Sequence, residues 1–378
     1  MNKHLLPTAT LGILGGGQLG RMFALSALSM GYRVTVLDPD PESPAGALAD
    51  AHLCAAYDDP QALQQLADTC VAVTTEFENV PAASMAFLER HIRVSPSSES
   101  VAIAQDRIRE KRFISGVGLQ VAPFLPIESL ADFEQDLSKH LPGILKISRL
   151  GYDGKGQVRV YSPEEAKAAF LDMGGKPCVL ERKLELQTEI SVIVTRVGTG
   201  QSVCFPVAEN HHAGGILDIS IVPARVEASV AGQARQMALQ LAESLDYVGV
   251  LAVEFFVLGG GELLINEIAP RPHNSGHYSL NATQVSQFDQ QVRAMCGLPP
   301  GDTRLLSPAV MINLLGDIWG DDEPSWDILL SQANVHLHLY GKKSARIGRK
   351  MGHYNVLAED AETALGQALE LQRRLKGV

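Results

Sequence analysis

Short apolar runs alternate with helix-forming stretches through the first hundred residues. Residues 11–16 (LGILGG) read as a strand entering a glycine turn, followed by a helix from about Arg21 to Met30 that stops at Gly31. A second strand, Arg33–Leu37, ends at Asp38. This βαβ opening predicts a parallel sheet with helices on its faces. The proline-rich DPDPESPAG after it is a loop. Val71–Thr75 is a further strand, with Glu76-Phe77-Glu78-Asn79 at its C-terminal end. Open α/β sheets bind ligands at that end. Residues 99–115 predict a helix and GVGLQVAPFLP a linker. A smaller α/β unit follows: strand Gly143–Ser148, a glycine loop, strand Val158–Tyr161, a helix from Pro163 and strand Cys178–Leu184. Ser162-Pro163-Glu164-Glu165 is a capping box with proline at the first helical position. Residues 188–225 are strand-rich, a long helix occupies about 227–246, and Val335–Tyr340 alternates as a strand. The sequence shows no internal repeat and no low-complexity segment.

The segment EFFVLGGGELLINEIAPRPHNSGH, Glu254 to His277, predicts two apolar strands joined by a glycine turn, then a polar loop. A two-residue turn at Gly260-Gly261 sets Gly259 opposite Glu262 and Glu254 opposite Glu267. Directly opposed residues have Cβ atoms about 4.5–5.5 Å apart, so like charges there repel. A hard divalent cation, with phosphate oxygens completing its shell, would compensate. The strands are apolar on both sides, which favours burial over two solvated glutamates on an exposed face. A one-residue slip would place the two carboxylates on opposite faces.

At 378 residues the chain has room for two or three domains. An apolar fraction of 46% and a charged fraction of 20% are those of a globular protein. No apolar run reaches the roughly 18 residues that a membrane span needs, and the N-terminal apolar run is too short for a signal peptide. The expectation is a cytoplasmic protein. Five scattered cysteines without a CxxC pair argue against a disulfide scaffold or zinc site and are expected to be buried. The net charge of −11 argues against nucleic acid as a partner. Anionic ligands must therefore meet local basic clusters, and Lys342, Lys343, Arg346, Arg349 and Lys350 fall within nine residues. Such a charge run is often a solvated face. Gly348 and Gly352 beside it allow close backbone approach and favour a phosphate site.

Two glycine-rich segments carry candidate chemistry. Gly15 to Gly20 satisfies GxGxxG between a strand and a helix, and Asp38 ends the next strand 18 residues later. That is the dinucleotide-binding fingerprint. By itself it points to an NAD-dependent oxidoreductase, although the helix N-terminus could equally hold another phosphate, or the turn could serve packing alone. Gly151-Tyr152-Asp153-Gly154-Lys155-Gly156-Gln157 lies between two strands and could close over phosphates, with Lys155 at its tip; it is not a Walker A sequence. Lys146, on the preceding strand, is either a phosphate ligand or a snorkelling edge residue.

GGGQLGRM at 15–22, GYDGKGQ at 151–157, NEIAPRPHNSGH at 266–277 and GRKMGH at 348–353 together resemble the ATP-grasp ligases, and within them the 5-(carboxyamino)imidazole ribonucleotide synthase family. The resemblance spans nearly the whole chain. It implies an α/β, α+β overall, ATP-grasp architecture: a Rossmann-like parallel-sheet domain at 1–105, a small central domain at 106–184 and a larger antiparallel-sheet domain at 185–378. It also implies ATP-dependent carboxylation of 5-aminoimidazole ribonucleotide with bicarbonate through carboxyphosphate, with magnesium or manganese, by a homodimer. Carried over to this sequence, Arg107 and Lys146 would contact phosphates, Gly151 to Gln157 would cover them, Glu181, Arg182, Lys183 and Leu184 would bind adenine, and Glu189 the ribose. His212 would line the same site, where the chain departs from the family pattern in carrying an acidic residue at position 209. Glu254 and Glu267 would bind the metal, with Asn266 beside them. Gln18, Leu19, Glu76 and Tyr152 would meet the ribonucleotide, and Lys342, Arg349 and Lys350 its 5′-phosphate. Arg271, His273, Asn274 and Ser275 would lie near bicarbonate and the transferring carboxyl. The alternatives are a sister ligase using formate or glycine, the NAD-dependent oxidoreductase, and a non-catalytic nucleotide-binding regulator. Lys146, Glu254 and Glu267 argue against the last. His336 and His338 are expected to be structural.

Overall fold

The computed structural model describes residues 4–149, 151, 156–320 and 322–377. Its first sheet is parallel, built from β1 (Thr10–Leu14), β2 (Arg33–Leu37), β3 (Ala51–Leu53), β4 (Ala72–Thr75) and β5 (Arg93–Val94) in the order β3-β2-β1-β4-β5. The Val and Leu side chains of β1, β2 and β4 are buried, as a sheet covered on both faces requires. Helix Gln18–Ser29 connects β1 to β2 and starts three residues earlier than the apolar pattern predicts, because the glycine turn itself opens it. The helix expected over 99–115 is two helices, Ser98–Ala104 and Arg107–Gly116. Asp106 makes the break: its carboxylate caps the second helix through the Ile108 and Arg109 amides.

The central sheet is antiparallel, ordered β6-β9-β7-β8 from β6 (Phe124–Ile127), β7 (Gly143–Ile147), β8 (Gln157–Val160) and β9 (Cys178–Arg182). Part of the expected linker is thus strand β6. Lys146 lies on β7, an interior strand, with a side chain only 11% exposed, so it is not a snorkelling edge residue.

Among the described residues the third sheet has nine strands: β10 (Leu186–Arg196), β11 (Ser202–Cys204), β12 (Ala208–Ala213), β13 (Ile216–Val222), β14 (Gly249–Leu258), β15 (Leu263–Ala269), β16 (Ala309–Leu315), β17 (Val335–Leu339) and β18 (Lys350–Leu357). They run β15-β14-β10-β12-β13-β16-β18-β17, with β11 paired to β10. Helix Ala228–Ser244 packs its apolar face on β10, β14 and β15. Among the cysteines, Cys70, Cys178 and Cys296 are buried, Cys204 is half-buried and Cys54 is exposed, contrary to the expectation that all are core residues.

Candidate active site

The glycine turn is already filled, by the protein itself. The Gly16 amide donates to Asp38 Oδ2 at 2.6 Å, and the Gly17 and Gly20 amides donate to Glu76 Oε1 and Oε2 at 2.7 and 3.1 Å. Gly15 has φ +103°, and a Cβ there would lie 2.7 Å from Glu76 Cγ. A carboxylate at the end of β4 therefore occupies the helix N-terminus that a dinucleotide pyrophosphate would need. Asp38 also accepts from Tyr57 Oη and the Asp40 amide, which leaves little of it for a ribose. Burial pushes the Glu76 carboxyl up, while the two amides and the nearby Arg271 and Lys342 pull it down less strongly. These contacts remove the basis of the oxidoreductase reading.

The acidic hairpin closes differently from the expectation. Gly259–Gly261 form a three-residue loop, and Leu258, not Gly259, faces Glu262. Phe255 then pairs with Ile265, but Val253 pairs with Ile268. A bulge on β15 places Asn266 and Glu267 together opposite Glu254. The extra loop residue is thus cancelled by an extra strand residue, and the two carboxylates still meet across the hairpin. Burial and Glu267 push the Glu254 carboxyl up. Burial opposes ionisation of Glu267 too, but Arg107, Lys146 and Lys111 outweigh it and hold it down. Arg107 Nη1 donates to Glu267 Oε2 at 2.7 Å. Asn266 Oδ1 is buried without a hydrogen-bond partner beside this pair. Two carboxylates and an amide oxygen are a hard-oxygen set that suits magnesium or manganese. No group of three His, Cys, Asp or Glu among the described residues could hold a metal alone, so phosphate oxygens would have to complete the shell.

Across the cavity, Lys146 Nζ reaches Glu181 Oε2 at 3.0 Å, and Lys111 Nζ reaches Glu181 Oε1 at 3.2 Å. Burial disfavours the Glu181 carboxylate, yet the two lysines hold it at about 2. His212 Nδ1 meets Glu189 Oε2 at 3.2 Å; burial lowers its basicity, but Glu189 and Glu254 raise it above the ordinary value. The acidic position 209 does not disturb His212, because Glu209 is taken by Arg225 and His211. Arg107, Lys146, Glu181, Arg182, Lys183, Leu184, Glu189, His212, Glu254, Asn266, Glu267, Arg271, His273, Asn274 and Lys350 all wall one cavity of about 430 Å³. Gly151 and Gln157 also line it, and Gly156 adjoins them with φ +71°.

His273 is held in one tautomer. Its Nδ1 accepts from the Ser275 amide at 3.3 Å and contacts Ser275 Oγ at 2.9 Å, so Nε2 carries the hydrogen and points to Glu254 Oε1 at 3.3 Å. Behind it, Ser220 Oγ donates to Asn210, Asn210 to Ser191 Oγ, and Ser191 to Ser275 Oγ. Burial, with Arg271 nearby, keeps the imidazole neutral.

Comparison with known proteins decides the family. The ribonucleotide synthetase preATP-grasp domain matches residues 8–105, the ATP-grasp domain 112–288, and the phosphoribosylaminoimidazole carboxylase C-terminal domain 309–367. An N5-carboxyaminoimidazole ribonucleotide synthase of Bacillus subtilis (strain 168) is 44% identical over 365 residues, 95% of this chain and 94% of that protein. The chain belongs to the N5-carboxyaminoimidazole ribonucleotide synthase family. A solved ADP complex of an N5-carboxyaminoimidazole ribonucleotide synthetase superposes with a TM-score of 0.91 at 43% identity, covering 98% of each chain. The Aspergillus clavatus synthase with ADP and 5-aminoimidazole ribonucleotide gives 0.90 at 29% identity, over 99% of this chain and 100% of that one.

The remaining residues carried over from the synthase family divide into three groups. Tyr152, Asp153, Gly154 and Lys155 lie outside the described residues. Gln18, Leu19, Glu76, Lys342 and Arg349 stand beyond the cavity wall, around the glycine turn and the basic segment. There Lys342 Nζ donates to the Lys350 carbonyl, and Arg349 Nη1 donates to Ser344 Oγ and its carbonyl. Ser275 is fully buried behind His273 rather than exposed to a ligand. Asn274, by contrast, has neither amide atom hydrogen-bonded although only 7% exposed. Glu78, placed by the sequence at a ligand-binding strand end but given no role, accepts from Arg271 Nη2, and Glu110 and Lys111 on helix Arg107–Gly116 were not singled out at all. The i, i+3, i+4 spacing of Arg107, Glu110 and Lys111 was the available signal. His338 stacks on His353 at 4.6 Å, and His277 packs on the same ring at 4.7 Å. The last histidines of NEIAPRPHNSGH and GRKMGH, His277 and His353, thus join in the core.

Proposed function

We propose that this chain uses ATP to carboxylate 5-aminoimidazole ribonucleotide with bicarbonate, giving 5-(carboxyamino)imidazole ribonucleotide, ADP and phosphate in de novo purine biosynthesis. The observation that carries this reading is the Glu254–Glu267 pair, set by the β15 bulge into the same cavity as Lys146, Arg107 and Arg271. Phosphoryl transfer needs positioning and charge neutralisation more than covalent help, and this cavity offers both. Glu254, Glu267 and Asn266 would hold magnesium or manganese, which when bound neutralises phosphate charge. Lys146 and Arg107 face the phosphates. The Arg182 and Lys183 amides are donated to the Pro123 and Pro142 carbonyls, so recognition of the base falls to the carbonyls of this segment and to Leu184.

A bicarbonate oxygen attacks the γ-phosphorus and ADP departs. The exocyclic amine then attacks the carboxyl carbon, phosphate leaves, and the nitrogen loses one proton. His273 shares its Nε2 hydrogen between Glu254 Oε1, which it faces at 3.3 Å, and the oxygens of the transferring carboxyl. Arg271, oriented by Glu78, and the unpaired Asn274 amide complete that pocket. Lys350, on the cavity wall, with Lys342 and Arg349 behind it, meets the ribonucleotide 5′-phosphate. Gly151 and Gln157, at the two ends of the glycine-rich segment, line the cavity, from which water must be kept because carboxyphosphate hydrolyses readily. The three-domain division at 105 and 184, a homodimer of twice 40.7 kDa and a cytoplasmic location belong to the same proposal. Light scattering reads the mass.

ADP release from ATP, magnesium and bicarbonate, with and without 5-aminoimidazole ribonucleotide, tests the reading. Strong stimulation by the ribonucleotide supports it. Stimulation by formate or glycine acceptor systems instead would move the chain to a sister ligase activity.

A further inference from the structure

The β15 bulge creates a problem the hairpin does not solve. Regular continuation of the Phe255–Ile265 pairing would set Asn266 opposite Glu254 and turn Glu267 to the other face of the sheet. Strand β15 is also a sheet edge among the described residues; on its outer side the Ile265 amide donates to the Gln120 carbonyl at 2.8 Å, and past Ile265 no further described strand pairs with it. Helix Arg107–Gly116 takes that place. Lys111 Nζ donates to the Asn266 carbonyl at 3.3 Å, Arg107 Nη1 to the Glu267 carboxylate at 2.7 Å, and Glu110 Oε1 accepts from the Ile268 amide at 2.7 Å. The two bulge residues and Ile268 after them are thus gripped by one helix face. Glu110 and Lys111 are 1% and 0% exposed, so water does not compete for these contacts. Lys111 Nζ also meets Glu181 Oε1, which ties the bulge to the strand that carries the nucleotide-binding segment.

We propose that Glu110 and Lys111 are positioning residues that clamp the β15 bulge, keeping Glu267 opposite Glu254 and in register with Glu181. The proposal rests on the reading of this cavity as the ATP and metal site. Lys111 lies off the cavity wall, and Glu110, which reaches that wall, is engaged by the Ile268 amide; each fixes the backbone that aims a ligand.

The test is the dissociation constant of Mn2+ for the ADP-saturated full chain, read by electron paramagnetic resonance, in Glu110→Met, Lys111→Met, Glu110→Gln and Lys111→Arg. The methionine variants should weaken Mn2+ by roughly 10–100-fold, the usual cost of losing a group that orients a metal ligand. Glu110→Gln, which keeps an oxygen for the Ile268 amide, should stay within about three-fold of the unaltered protein by the same reasoning, and KM for 5-aminoimidazole ribonucleotide should hold steady throughout. Lys111→Arg, which keeps the charge and donors, should lie nearer the unaltered protein than Lys111→Met. If Glu110→Met does not fold, the Lys111 pair and Glu110→Gln carry the test. Folded methionine variants that bind Mn2+ normally would overturn the clamp, as would Glu110→Gln being as damaging as Glu110→Met. Failure of the unaltered protein to bind Mn2+ with ADP would instead overturn the site reading, and the clamp with it.

Discussion

Glu267→Gln separates the catalytic from the structural part of the account. The substitution keeps shape and removes one negative charge. Two electrostatic effects then oppose each other: Arg107 loses its 2.7 Å partner, and Glu254 loses the like charge across the bulge. A charge pair near 4 Å is worth on the order of 4 kcal/mol at an effective dielectric of 20. The Glu267 side chain is 39% exposed, so solvent screening cuts the Arg107 contribution to roughly 1 kcal/mol. Relief of the Glu254 repulsion returns a similar amount, and the net stability change should stay within about 1 kcal/mol, a few degrees in Tm. Turnover should fall by about 10³, on the order of 4 kcal/mol of barrier, because the proposed site would lose a ligand to its phosphate-neutralising cation. The assay is ADP production under saturating magnesium, beside a thermal melt of the same preparation. Activity within a few-fold of the parent would refute the metal assignment. A collapse in Tm with proportionate activity loss would make Glu267 a structural residue.

Lys350→Ala should raise KM for 5-aminoimidazole ribonucleotide far more than KM for ATP, and equal effects on both would remove the 5′-phosphate assignment. Ser191→Ala breaks the hydrogen-bond chain behind His273; kcat should drop by about ten-fold with KM for ATP unchanged, on the scale of one lost buried hydrogen bond, and an unaltered kcat would show that Ser275 suffices. Burial and Glu267 raise the Glu254 carboxyl in the folded chain, so the folded state holds a proton that the unfolded state has released. That contribution to stability is present below the unfolded carboxyl range and is lost as pH rises through the raised value. Glu254→Gln should therefore lift the Tm of the metal-free protein more at pH 8 than at pH 5, and equal shifts at both would contradict the pairing.

The hairpin shows how far residue patterns reach. The apolar strands and the two opposed glutamates were readable, because alternation and a glycine turn are local. The turn length was off by one residue, and the bulge was invisible because the contacts to Asn266, Glu267 and Ile268 come from a distant helix. GxGxxG with a following aspartate was legible as a phosphate turn, but its occupant, Glu76, arrives from a strand more than fifty residues away. Lys111 sits in RIREKRF, a run with the look of a solvated helix, and only the docking of that helix onto β15 and β9 makes it a buried charge. The same is true of His277 and His353, which meet only through the sheet that brings β18 beside the loop after β15.

The central claim is that a bicarbonate oxygen attacks ATP before the carboxyl reaches the amine. Turnover with doubly labelled 13C,18O-bicarbonate, stopped before exchange with water, tests it directly. The account predicts 13C in the ribonucleotide product and one 18O in each phosphate released. Phosphate free of 18O, or ATP cleavage that proceeds without the ribonucleotide gaining 13C, would contradict it.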